Sequence, residues 1–128
     1  MRELVRRNPG IMRILEDSTD TEIVTGDLKL DLYKKQVMRA GKQIPLTARE
    51  FDIFAFLAGH RGEVFSHRQI YEAVWNKKFF HDTANITAHI GHIRRKLEKD
   101  PGNPQYIRTV HGAGYKFDVS DMTEAGNK

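Results

Sequence analysis

The sequence has no cysteine, so disulfide frameworks, thiol nucleophiles and cysteine-rich zinc sites are excluded. No apolar run approaches the ~20 residues that a bilayer-spanning helix requires. The start, Met1-Arg2-Glu3-Leu4, lacks the apolar core of a secretory signal. A cytoplasmic protein with no membrane role is expected. Catalytic signatures are missing too: there is no His-Glu-x-x-His, no phosphate-binding glycine loop and no Ser/His/Asp arrangement. His89 and His92 have the i, i+3 spacing of a ligand pair, with His81 and His111 nearby in sequence. A zinc site would still need a third and a fourth ligand and a supporting shell. The expectation is a protein that is not an enzyme and holds neither metal nor cofactor.

What is present is a chain of 128 residues, 39% hydrophobic and 30% charged. That is one globular domain, long enough to bury its own core. The net charge of +4 is local. Between Thr83 and Phe117 stand Arg94, Arg95, Lys96, Lys99, Arg108 and Lys116 against only Glu98 and Asp100, while the rest of the chain is balanced. A basic sub-region points to a polyanionic partner; the alternative is a solvated basic helix.

Along the chain, residues 1–21 are polar, broken at Asn8-Pro9-Gly10, and are expected to be a linker or docked terminal segment. Leu28, Leu30 and Leu32 then alternate with Lys29 and Asp31, the pattern of a strand with one buried face. Turn residues at Gly26-Asp27, Lys34-Lys35 and Ala40-Gly41 divide this region into short antiparallel strands near 22–25, 28–32, 36–39 and 42–44. Thr47-Ala48-Arg49-Glu50 and Ser66-His67-Arg68-Gln69 are capping boxes, each opening a helix. The first carries Phe51, Ile53, Phe54, Phe56, Leu57 and Ala58 and should be buried on most sides. The second runs to Trp75. A third helix is expected over about 82–99, with Asp82 as its cap and Pro101-Gly102 as its stop. Two β-rich runs around His111-Gly112-Ala113-Gly114 form a final hairpin.

Each helical residue advances by about 100°. On the third helix Ile90, Ile93 and Leu97 fall within roughly 40° of Ile86 and form the core stripe. Ala84, Ala88, Gly91 and Arg95 lie opposite, with His92 and Lys99 beside them; Asn85, Thr87, His89 and Arg94 flank that face. An outer face of Ala, Ala and Gly is unusual for a solvated helix, since a mid-helix Gly costs about 1 kcal/mol against Ala. Small residues permit close approach to the backbone. A helix bare at its leading end and basic behind it suits a DNA major groove. Packing against a protein partner is the competing explanation.

The order strands, helix, helix, loop, helix, glycine hairpin is that of a winged helix–turn–helix. Five segments resemble the effector domain of OmpR/PhoB-type response regulators. They are Leu46-Thr47-Ala48-Arg49-Glu50-Phe51, Val64-Phe65-Ser66-His67-Arg68-Gln69-Ile70, Val74-Trp75, His89 to Glu98, and Ile107 to Phe117 with its Gly-Ala-Gly-Tyr-Lys-Phe close. The resemblance spans about residues 22–119. It implies an α+β fold: an N-terminal antiparallel strand platform, three helices and a C-terminal β-hairpin wing.

It also implies sequence-specific binding of double-stranded DNA by a two-component transcription regulator. The recognition helix at about 82–99 would enter the major groove, and the wing at about 106–119 would touch the minor groove. By the same resemblance Trp75, Asn85 and Thr109 approach phosphates, His89 and Arg94 contact backbone or groove, and Ala88 meets thymine methyls. Lys116 falls in the wing. The loop Asn76, Lys77, Lys78, Phe79, Phe80, His81 corresponds to the segment that contacts RNA polymerase. Two copies would occupy a direct repeat, the isolated domain being monomeric off DNA.

Two departures matter. Gly91 and His92 stand where many relatives carry Arg or another long reader, and His111 replaces the usual Arg at the wing tip. Since Gly91 cannot read a base, specificity is left to Asn85, Thr87, Ala88, His92 and Arg95, or to DNA shape. No receiver domain with a phosphorylated Asp is present, because Asp31 and Asp52 lie inside the effector match. Arg2-Glu3-Leu4-Val5-Arg6-Arg7 resembles the end of a receiver's last helix. The expectation is an effector domain with its linker, a receiver domain and sensor kinase belonging to the full-length protein, and a disordered tail over 120–128. A winged-helix interaction module, with Phe79-Phe80 as its exposed contact, is the alternative; structured RNA fits less well because its A-form major groove is closed to a helix.

Overall fold

The computed structural model describes residues 21–79 and 83–118. The expected tail at 120–128, and all of the expected linker except Thr21, lie outside that range. So do Phe80, His81 and the proposed cap Asp82.

Four strands come first: β1 (Glu22–Thr25), β2 (Leu28–Asp31), β3 (Gln36–Arg39) and β4 (Lys42–Ile44), paired in sequence order as an antiparallel meander. Leu28, Leu30, Val37 and Ile44 point to the buried face. The alternation read from Leu28, Leu30 and Leu32 thus places the sheet correctly. β2 closes one residue earlier than expected, because Asp31 turns its carboxylate onto the N–H groups of Tyr33 (3.0 Å) and Lys34 (2.9 Å) and starts the turn.

Both capping boxes form. Thr47 and Glu50 exchange side-chain and backbone bonds at 3.1 and 3.0 Å to open α1 (Ala48–Ala58). Ser66 and Gln69 do the same at 3.1 and 2.9 Å for α2 (His67–Trp75). Every residue of α1 from Glu50 to Ala58 is buried, so this helix is the centre of the domain. α2 ends at Asn76, which takes the left-handed conformation (φ 57°, ψ 38°) that Asn tolerates better than most residues. α3 (Thr83–Leu97) lays Ile86, Ile90, Ile93 and Leu97 into the core, the stripe given by the helical period.

α3 is shorter at its C-terminus than the expected end at 99. Arg39 of β3 donates to the Leu97 carbonyl, a cation on the negative end of the helix. One residue on, the buried Glu98 carboxylate accepts backbone N–H bonds from Gln105 (2.7 Å), Tyr106 (3.0 Å) and Ile107 (2.9 Å). The chain therefore leaves the helix at Leu97 in order to hold the strand that follows.

That strand, β5 (Ile107–Val110), pairs with β6 (Gly114–Phe117) as a hairpin. Phe65 pairs in turn with Tyr115, their N–H and carbonyl groups meeting at 2.8 and 2.9 Å. Gly114 makes this approach possible. Its φ is +144°, and a Cβ there would lie 2.0 Å from the Phe65 carbonyl oxygen. Phe117 anchors the hairpin in the core, edge-on to Phe54 at 5.6 Å.

Gly114→Ala should therefore destabilise the domain by more than about 1 kcal/mol, read from the denaturant midpoint. Gly112→Ala, with positive φ but open space around it, should lose less. Equal midpoints for the two variants would mean that β6 is not held against Phe65.

Candidate nucleic-acid interface

The sequence-derived residues collect on α3 and the wing, and the structure sorts them by what their side chains already hold. Ala84, Thr87, Ala88, His92 and Arg95 are exposed on α3, as are Thr109 and His111 on the wing. His111, Gly112 and Ala113 form the hairpin tip, closed by the Ala113 N–H on the Val110 carbonyl at 2.9 Å.

Arg94 is turned inward more than its expected contact role requires. Its Nε and Nη2 donate to the Ile107 carbonyl at 3.2 and 2.9 Å, Nη2 also donates to Thr109 Oγ1 at 2.8 Å, and the guanidinium lies 5.6 Å from the Tyr115 ring centre. Burial pulls its pKa below the usual arginine value, while Tyr115 and Glu98 push it back up. Arg94 is thus first a clamp between α3 and the wing. Thr109 receives that clamp and stays at the surface.

The opposite flank of α3 is tied to α1. Lys96 Nζ donates to Glu50 Oε1 at 2.7 Å, and His92 Nδ1 stands 3.7 Å from Glu50 Oε2. Burial raises the Glu50 pKa, but the Lys96 hydrogen bond, the Thr47 N–H and the nearby positive charges outweigh it, so the carboxyl sits below its ordinary value. His89 bonds through Nδ1 to the Asn85 carbonyl at 2.8 Å and meets the Trp75 ring edge-on at 5.4 Å. Trp75 stacks on Tyr71 at 4.8 Å, with the Arg49 guanidinium 4.5 Å from its ring centre. Arg49 also donates to the Val74 carbonyl at 3.1 Å, capping α2. The two histidines weighed as a metal pair therefore face different partners.

Lys116 is half-buried and pairs with Asp118 at 3.5 Å. In the loop after α2, Asn76, Lys77 and Lys78 are exposed around a shallow hollow shared with Glu72. Phe79 is half-buried, edge-on to Tyr71 at 5.5 Å, with its N–H on Glu72 Oε2 at 3.2 Å. Phe79 is therefore packed back on α2 rather than fully presented.

Sequence reading missed His67. Its Nε2 lies 3.3 Å from Thr87 Oγ1 and 3.4 Å from the Tyr115 hydroxyl, so one side chain joins α2, α3 and the wing. The only local signal was its place just after the Ser66 cap. Arg39 and Arg49 were missed as well, because their carbonyl acceptors lie 58 and 25 residues away.

A strand platform, three helices with the third exposed along one side, and a hairpin clamped beside it define a winged helix–turn–helix domain. Residues 41–117 match the family described as transcriptional regulatory protein, C terminal, and the chain belongs to that family as an OmpR/PhoB-type DNA-binding domain. It is 39% identical over 115 residues to the DNA-binding response regulator MtrA of Mycolicibacterium smegmatis, covering 90% of this chain and 50% of that protein. With the alkaline phosphatase synthesis transcriptional regulatory protein PhoP of Bacillus subtilis it shares 37% over 110 residues, 84% of this chain and 45% of PhoP. The chain spans about half the length of these curated relatives.

Among solved structures, the Thermotoga maritima response regulator DrrB superposes with a TM-score of 0.73 at 33% identity, over 91% of this chain and 52% of DrrB. The Klebsiella pneumoniae RstA DNA-binding domain, solved in complex with the RstA box, gives 0.71 at 26% identity, over 77% of this chain and 97% of that domain. No helix among the described residues is long and apolar enough to cross a membrane.

Two outcomes follow from the clamps. Arg94→Ala should destabilise the fold by about 1–3 kcal/mol, the range for losing hydrogen bonds from a charged group. It should weaken duplex binding with little change in salt slope, whereas loss of a direct phosphate contact lowers that slope by about 0.9. Glu50→Gln keeps the capping box but removes the charge facing Lys96, and should cost about 1 kcal/mol near neutral pH. Because the folded pKa is lowered from 4.5, the Glu50 contribution is present above that value and is lost as pH falls through the folded value. The gap between parent and variant in a pH series of denaturation midpoints should close in acid; a constant gap would mean that Glu50 acts through shape alone.

Proposed function

We propose that this chain recognises a specific double-stranded DNA sequence with the outer face of α3 in the major groove and the wing tip at the adjoining minor groove. In this reading it is the effector part of a two-component transcription regulator, acting by binding and not by catalysis. The observation that carries the reading is the division of α3. One side is buried, both flanks are fixed to α1 and the wing, and the remaining face offers Ala84, Ala88, Gly91 and the Arg95 side chain. A major groove accepts such a helix, and small residues let base edges come close.

In this pose Asn85, Thr87, Ala88, His92 and Arg95 meet base edges. His89, Thr109 and Trp75 lie toward phosphates, His111 leads the wing tip with Lys116 on the wing behind it, and Arg94 holds the wing to α3. RstA, a structural neighbour solved with its box, supports the duplex as ligand. The extra length of MtrA and PhoP supports a full-length protein with a phosphorylated receiver domain and a partner kinase. A direct-repeat operator, a cytoplasmic setting and a monomeric isolated domain complete the proposal. The loop Asn76, Lys77, Lys78, Phe79, Phe80, His81 is the proposed polymerase contact, supported by the exposure of Asn76, Lys77 and Lys78.

Selection of bound sites from random duplexes, at a stated salt concentration, tests the reading. Enrichment of a repeated motif is expected; no enrichment at low salt would return the protein to an interaction module. Lys77→Ala with Lys78→Ala should spare operator affinity and alter promoter output in a reconstituted transcription assay. An equal loss of DNA binding would place the loop on the phosphates instead.

A further inference from the structure

The glycine in the middle of α3 has no explanation inside the protein. Beyond the nearby backbone of its own helix, a Cβ added at Gly91 would meet only Nη1 of Arg95 within 4 Å, at 3.7 Å, an ordinary contact distance. Alanine would therefore fit and would favour the helix. What the glycine leaves free is the space one turn ahead of Arg95. Helical side chains lean toward the N-terminus and cover the turn before their own. Here the guanidinium has come to rest over residue 91.

The neighbouring cations on α3 behave differently. Arg94 donates to Ile107 and Thr109, and Lys96 to Glu50. Among the described residues the Arg95 guanidinium has no hydrogen-bond or ion-pair partner, and its residue is exposed. Ahead of it on the outer face lie Gly91 and the exposed Ala88 and Ala84, with His92 and Lys99 to the side. No side chain at 84, 88 or 91 reaches as far as the guanidinium.

Resting on the proposed DNA-binding reading, we infer that Arg95 is the base-reading arginine of this helix, delivered to its site by the absence of a side chain at Gly91. Its planar fork matches the N7 and O6 acceptors of a guanine in the major groove, the pairing to which arginine is best suited. The contact would fall one helical turn nearer the N-terminus than the sequence position of Arg95 implies. A long side chain at 91 would occupy the same space and push the guanidinium aside.

The test compares site selections by the parent, Arg95→Ala, Gly91→Gln, the double variant and Gly91→Ala, with thermal melting of each. Arg95→Ala should lose preference for guanine at one position of the site by roughly 5- to 150-fold and keep the others. Gly91→Gln should lose preference at the same position, and the double variant should be no worse than Arg95→Ala there. Gly91→Ala should melt at a higher temperature than the parent, which shows that the glycine is not required by the fold. A uniform loss across all sequences in Arg95→Ala, with the salt slope reduced by about 0.9, would make Arg95 a phosphate contact and overturn the inference. So would a Gly91→Gln variant with an unaltered motif. If the parent itself enriches no motif, the underlying DNA-binding reading fails first, and the two failures are distinct.

Discussion

Everything on the exposed side of this domain depends on how Ile107 is held. Its N–H donates to Glu98 Oε2 at 2.9 Å, and its carbonyl accepts from Arg94 at 2.9 Å. The two side chains stand one turn apart on and just beyond α3, so one helix face grips both polar groups of one strand residue. Glu98 extends the grip to Gln105 and Tyr106. Hydrogen bonds to charged groups are stronger than neutral ones, and losing an ionic partner from a buried site leaves a desolvated group unpaired. The wing consequently takes its position from α3 and cannot drift independently of it. The free edge of β6 meets Phe65 in a single bridge at Tyr115, and the Phe117 carbonyl accepts from the Gly62 N–H at 2.8 Å, so the hairpin is also tied to the segment between α1 and α2.

This arrangement changes the meaning of the basic sub-region. Counted in the sequence, Arg94, Lys96 and Lys116 belong to a positive patch. In the structure Arg94 holds the wing, Lys96 neutralises the buried Glu50, and Lys116 faces Asp118. Charge count located the right part of the molecule but overstated the free charge on its surface. Arg95, exposed among small residues, remains turned outward on α3.

The legible parts were those with a local cause. Alternation at Leu28 and Leu30, the boxes at Thr47 and Ser66, and the stripe from Ile86 to Leu97 each depend on residues within a few positions of one another, and all of them recur in the structure. The joints between elements were not legible. Arg39 reaches the end of α3 from 58 residues away, and the Tyr106 hydroxyl bonds Asp27 at 2.9 Å across 79 residues. Burial and then that bond raise the Tyr106 pKa, and the bond ties the segment before the wing to the platform. Nothing in the residue types at 39 or 106 announces such a partner. His67 shows the same limit within the candidate site, since its two hydroxyl neighbours come from α3 and β6.

The same division explains how such a scaffold can be addressed to different DNA sequences. Residues that fix geometry point inward or sideways: Glu50, Arg94, Lys96, Glu98 and the Ile stripe. Residues at 84, 88, 91 and 95 make few internal contacts, so exchanging them perturbs folding little. A site whose readers are independent of its clamps can change preference without rebuilding its core. The glycine at 91 is a case in point, because the fold gains nothing from it. A residue that lowers helix propensity without easing any internal contact is best accounted for by what the helix must admit from outside.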